Sequence, residues 1–253
     1  MKIIFQFILI IFISINLYAR EKGETEITSE DGIEVFQDEK YYLLKKNVTI
    51  NSDSFYLNAN KVRINFDKNL YDINELNAYG NINFESPLYE INGSGETLNF
   101  QVKIEKIKIE GFGSKLITKD LEMLSDGFIE VNNQNGNFTL NGLNSKLINE
   151  NIIIKAESID GTFLDKVDKK EISFLNVVDK NISYVKNNET EMYAKKIVLN
   201  NNTSIIELID NVTIVRDSEK ITGDYATLDT KNNSYKIKSN KKTKVKLLIQ
   251  NDE

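Results

Sequence analysis

The chain of 253 residues carries 32 Lys and Arg against 38 Asp and Glu, so its formal net charge is −6. This acidic balance argues against nucleic acid as a partner, because nucleic-acid binding depends on cationic side chains that neutralise phosphates. The chain has neither histidine nor cysteine. Their absence removes the commonest general base, thiolate nucleophiles, disulfides and the usual zinc ligands, so no enzyme, cofactor or metal is expected. Catalysis by carboxylates alone stays open, although the acids are scattered as on a solvated surface.

The N-terminus has the pattern of a secretory signal peptide, assigned to residues 1–19. Lys2 precedes an apolar run over residues 3–15, and Ala19 supplies a small residue at the cleavage position. The run is shorter than the ~20 apolar residues that span a bilayer, so cleavage is favoured over retention as an anchor. With no Pro-rich or Ser/Gly-rich linker, residues 20–253 are expected to form a single elongated domain.

Alternating apolar and polar residues predict half-buried strands along the mature chain. The runs Val62–Phe66 and Leu98–Ile104 place every apolar side chain on one face of a strand. Asn, Asp, Gly and Ser cluster between such runs, and Asn135–Gly136 is a two-residue hairpin signal. A short helix is conceivable only over residues 115–125. The pattern favours an all-β sandwich, roll or solenoid.

The strands also repeat. A separation of 34 residues relates Asn47 to Asn81 and also relates Ile64 to Leu98. Units of this kind cannot bury an apolar face alone, so they are expected to stack and share one core. The repeats are clearest over residues 27–116 and 172–237, and the register between 116 and 170 stays open.

The apolar face of these strands is the candidate functional surface. In a closed sandwich it is only a core, whereas two sheets that splay apart would expose the same residues in a groove able to take acyl chains. The candidate groove residues are Val48, Ile50, Val62, Ile64, Phe66, Ile82, Phe84, Leu98, Phe100, Val212, Ile214 and Leu228.

The repeat resembles the LptA/OstA-type lipopolysaccharide transport proteins. The matching motif has two parts. The first part is a Gly, Lys or Asp followed by Asn-Val/Ile-x-Ile/Phe, and the second is Ala/Gly-x-x-x-x-apolar-x-apolar. The stretches that match are residues 46–50 with 59–66, residues 79–84, and residues 210–214 with 221–228. The resemblance implies an elongated, open-ended, twisted β-jellyroll of antiparallel strands. It implies binding of lipid A acyl chains in the periplasm of a Gram-negative bacterium, as part of a bridge to the outer membrane. It also implies LptC-like inner-membrane and LptD-like outer-membrane jellyroll domains as partners, or head-to-tail copies of the chain itself.

An open-ended jellyroll leaves strand edges that can pair with another chain. The expected edges lie near residues 33–36 and 245–249, where Val35, Val245, Leu247 and Ile249 are candidate partner contacts. Two alternatives stay open. One is an LptC-like component that keeps its N-terminal anchor, and the other is a parallel β-helix that binds polysaccharide.

Overall fold

The computed structural model describes residues 22–68, 72–150, 152–166, 169–232, 234–240 and 244–249. The expected signal peptide, residues 1–19, lies outside them. In the described part of the chain the regular structure is β, apart from single-turn 3-10 helices at Pro87–Tyr89 and Val102–Ile104. None of the described helices is long and apolar enough to cross a membrane.

The strands are β1 (Glu26–Thr28), β2 (Ile33–Phe36), β3 (Tyr41–Asn51), β4 (Tyr56–Phe66), β5 (Ile73–Ser86), β6 (Ile91–Gln101), β7 (Lys106–Glu110), β8 (Ser114–Thr118), β9 (Leu121–Ser125), β10 (Phe128–Asn132), β11 (Asn137–Asn149), β12 (Ile152–Lys166), β13 (Lys169–Asn187), β14 (Thr190–Asn200), β15 (Ile205–Arg216), β16 (Glu219–Asp229), β17 (Ser234–Lys238) and β18 (Lys246–Ile249). Every strand from β3 to β16 has ladder partners along both edges. All described ladders are antiparallel, so the parallel β-helix is wrong.

Each long strand bends near its middle. The ladder between β3 and β4 skips from Lys45 to Val48, and the same interruption recurs in β5, β11, β13 and β15. At four of these bends, which we call corners, the chain takes positive φ values: over 46–47, 80–81 and 210–211, and at Gly142 and Asn144. Asn and Gly tolerate this left-handed conformation better than most residues do. The repeated Asn-Val/Ile pair therefore marks the bend of a strand.

The bends divide the sheet into two facing layers. The first layer contains the N-terminal halves of β3, β5, β11, β13 and β15, the C-terminal halves of β4, β6, β12, β14 and β16, and strands β2, β7, β10 and β17. The second layer contains the remaining halves with β1, β8, β9 and β18. Apolar residues of both layers form one buried cluster. The fold is an elongated β-jellyroll, as expected.

Two glycines make room for aromatic rings inside this core. Gly93 pairs with Phe84 across one ladder, and Gly161 pairs with Phe138 across another. A Cβ atom on Gly93 would lie 2.5 Å from the Phe84 ring, and one on Gly161 would lie 2.3 Å from the Phe138 ring. Both glycines are therefore required by close packing of the ring on the opposite strand.

Three local expectations differ from the structure. The short helix over 115–125 is wrong, because burial alternates with a period of two within each strand, at Ser114 and Leu116 in β8 and at Leu121 and Met123 in β9. The strand expected through Ile104 ends at Gln101, where a 3-10 turn begins. The two-residue turn expected at 135–136 is instead a connection of four residues between β10 and β11. In this connection the Asn132 side chain accepts a hydrogen bond from the backbone amide of Asn135.

Candidate functional site

The two layers meet at the corners and end, on the opposite side, in the turns that join successive strands. Among the described residues, a central and a C-terminal cleft open between the layers on this side, which we call the mouth. The central cleft has a volume of about 510 Å³, and its floor is formed by Phe84, Leu98, Phe100, Leu116, Leu121 and Met123. The C-terminal cleft has a volume of about 300 Å³, and its floor is formed by Met192, Ile206, Ile214, Ile221 and Leu228.

The central cleft combines an apolar floor with a polar rim. Its floor residues come from both layers, and Leu116 and Met123 are each only 1% exposed. At the rim, the Asn133 amide donates to the Glu105 carboxylate at 2.7 Å and accepts a hydrogen bond from the Lys170 ammonium. An apolar concavity bordered by a few polar groups is the usual form of a ligand site.

The C-terminal cleft has a different rim. The Tyr235 hydroxyl, from the first layer, donates across the mouth to the Glu219 carboxylate of the second layer at 3.2 Å. Burial raises the pKa of Tyr235, and the charge and hydrogen bond of Glu219 raise it further. Arg216 lines the same rim. Across the described residues, no group of three or more acidic side chains is arranged to hold a metal ion.

The structure distributes the twelve candidate groove residues between the clefts and a closed core. Phe84, Leu98 and Phe100 line the central cleft, and Ile214 and Leu228 line the C-terminal cleft. The other seven are buried in the hydrophobic cluster or beside it: Val48, Ile50, Val62, Ile64, Phe66, Ile82 and Val212.

Two local reasons account for this closed core. Val48, Ile82 and Val212 directly follow corners, where the two layers meet. Nearer the mouth, the Tyr42 ring packs against Phe66 with a centroid distance of 5.5 Å. The inward direction of a strand residue is therefore not sufficient to place it in a cleft.

Much of the central cleft comes from residues whose register the sequence leaves open. Leu116, Leu121, Met123 and Phe163 lie on short strands or after bends in the middle of the chain. The only local signal is the period-two spacing of Leu121 and Met123. Val102, which the alternation predicts to face inward, is 37% exposed at the rim because the strand has already ended.

The residues expected at strand edges lie at the two ends of the jellyroll. Val35 is on β2, Leu247 and Ile249 are on β18, and Val245 directly precedes β18. All four side chains are exposed, by 45 to 59%. Within the described residues, the ladder of β2 is with β3 and that of β18 is with β16, which leaves one edge of each without a ladder.

Comparison of the chain with models of protein families identifies one matching family. The model for the LptA/(LptD N-terminal domain) LPS transport protein matches residues 26–137 and, a second time, residues 122–234. The crystal structure of LptH, the LptA homologous periplasmic component of the conserved lipopolysaccharide transport device from Pseudomonas aeruginosa, is similar over 52% of this chain and 95% of its own. The identity is 14% and the TM-score 0.41. No curated protein sequence matches the chain.

Proposed function

Because the chain belongs to the LptA/LptD N-terminal family of lipopolysaccharide transport proteins, we propose that it binds lipopolysaccharide and carries the lipid A acyl chains between its two layers. The observation that carries this proposal is the central cleft, an apolar cavity of about 510 Å³ that opens at the mouth of the jellyroll. Removing acyl chains from water stabilises the complex by ~0.8 kcal/mol for each buried CH₂ group.

The polar rim suits the amphiphilic character of this ligand. Acyl chains would occupy the floor, while the sugar and phosphate groups would stay at the mouth near Asn133 and Lys170. An ammonium group is a common binding partner for phosphate. The match to a family of transport proteins supports a carrier role for this site.

The location proposed is the periplasm, reached by cleavage of the N-terminal segment after Ala19. An LptC-like protein that keeps this segment as a membrane anchor is the alternative. N-terminal sequencing of the mature protein separates the two, because cleavage places the first residue at or near Arg20.

The exposed ends of the jellyroll support a proposal for partners. Edge strands β2 and β18 carry exposed apolar side chains, including Val35 and Leu247. Pairing of such edges would continue the sheet into the jellyroll domain of an LptC-like or LptD-like protein, or into a second copy of this chain.

Mass spectrometry of lipids that co-purify with the protein tests the proposed ligand. We expect lipid A in the extract of the wild type and at least a tenfold loss in Phe100→Glu, because a carboxylate in an apolar cleft is costly to desolvate. Asn83→Glu adds the same charge on an exposed strand position and should retain the lipid. Absence of lipid A from the wild type, or equal loss in both variants, would contradict the proposal.

A further inference from the structure

The two clefts are separated by a closed part of the core. Their linings have no residue in common. The strands between them contribute Leu147, Ile154, Ile172, Leu175 and Leu199, each at most 4% exposed and each outside both linings. These residues belong to the single buried cluster that joins the two layers. Acyl chains in one cleft are therefore separated from the other cleft by packed side chains.

The mouth is also bridged between the clefts. The backbone N–H of Lys170, at the start of β13 in the first layer, donates to the Asp120 carboxylate of the second layer at 3.4 Å. The Asn149 side chain holds the same turn by donating to the Asp120 carbonyl at 3.0 Å. This contact joins residues 50 positions apart in the sequence, across the side where the layers would otherwise open.

The two clefts are lined by different strands of the first layer. Val131 lines the central cleft and Leu228 lines the C-terminal cleft. Their strands, β10 and β16, are six neighbours apart in the first layer, or about 29 Å at a spacing of ~4.8 Å between strands, whereas the nearest lining residues, Lys170 on β13 and Ile206 on β15, are two neighbours or about 10 Å apart. A single lipid in both clefts would have to straddle the bridged part of the mouth.

Each cleft has its own basic side chain at the rim, Lys170 in the central cleft and Arg216 in the C-terminal cleft. Each cleft therefore combines an apolar floor with one basic side chain, although the C-terminal rim also carries Glu189, Glu219 and Asp229 and the central rim Glu105. A basic side chain above an apolar floor suits the phosphate of an anionic lipid. Resting on the proposed function, we propose that one chain holds two lipid molecules at once, one in each cleft.

Native mass spectrometry of the full mature protein, freed of lipid and titrated with bisphosphorylated lipid A, tests this stoichiometry. Val131→Trp and Leu228→Trp place a larger apolar side chain in the central and C-terminal clefts respectively. We expect two lipids on the wild type, one on each single variant and none on the double variant. Asn83→Trp, on the exposed face, should still bind two.

Far-ultraviolet circular dichroism checks that each variant keeps the β spectrum of the wild type. Thr118→Phe and Thr190→Phe fill the same two clefts from the second layer and replace any tryptophan variant that does not fold. A wild type that saturates at one lipid would overturn the two-site inference and leave the proposed function standing. A wild type that binds none would overturn both, and single variants that still bind two would show that these clefts are not the sites.

Discussion

At the scale of single residues, the corner asparagines explain why the repeat is recognisable. Asn47, Asn81 and Asn211 have φ values of 48°, 51° and 56°, and each is followed by a buried Val or Ile at the start of the next half-strand. The left-handed conformation requires a residue that adopts it at low energy, and the following apolar residue fixes the strand in the core. The repeated Asn-Val/Ile pair therefore specifies both the bend of the strand and the burial of the residue that follows the bend.

Replacing one of these asparagines should destabilise the fold. Asn81→Val places a β-branched residue at φ 51°, and we expect a loss of about 1–3 kcal/mol in the free energy of unfolding. Asn83→Val changes an exposed position two residues along the same strand and should be close to neutral. Thermal unfolding followed by circular dichroism compares them, and equal stability of the two variants would contradict the role given to the corner.

The rim lysine should contribute to ligand selectivity. Lys170→Met removes the cation from the central cleft, and we expect binding of bisphosphorylated lipid A to weaken a few-fold, since a partly exposed charge pair contributes ~1 kcal/mol or less. Binding of dephosphorylated lipid A should change little. Lys108→Met, outside both cleft linings, is the control. Titration calorimetry measures all three proteins, and an equal effect of Lys170→Met on both lipids would argue against a phosphate contact.

At the scale of strands, the all-β class and the repeat could be predicted from alternation and spacing. The middle of the chain could not, because Gly111 and Gly113 interrupt what would be one long strand and leave β7 and β8 with five residues each. Five residues give too few alternations to fix a register. The bend within β13 also has its own form. Four residues, 179–182, stay outside the ladder with β14, and the Asp179 carboxylate accepts hydrogen bonds from the backbone amides of Asn181 and Ile182.

The terminal strand should control association between copies. Leu247→Pro removes a backbone donor from β18 and imposes a fixed φ, so we expect the protein to associate less at its C-terminal end. Leu88→Ala removes another exposed apolar side chain, 67% exposed in the turn at Pro87–Tyr89, and should leave association unchanged. Sedimentation over a range of concentrations measures this. A wild type that is monomeric throughout, or a proline variant that associates equally, would show that β18 is not an interaction edge.

At the scale of the whole molecule, two family matches overlap over residues 122–137 and the ladders run through that overlap without a break. The sequence could predict which side of the strands faces inward, and all twelve candidate groove residues do so or pack against the core. It could not predict where the layers separate. That separation depends on contacts between residues far apart in the chain, such as Lys170 with Asp120.

Photo-crosslinking to lipid A tests the central claim, that the acyl chains lie between the two layers, most directly. A photoreactive residue at Phe100 or Met123 would lie in the central cleft, whereas one at Asn83 or Glu122 would lie on the outer face. Adjacent residues of a strand point to opposite faces, so Met123 and Glu122 are a matched pair. The account predicts strong labelling from Phe100 and Met123 and background labelling from Asn83 and Glu122, and equal labelling from both sets would contradict it.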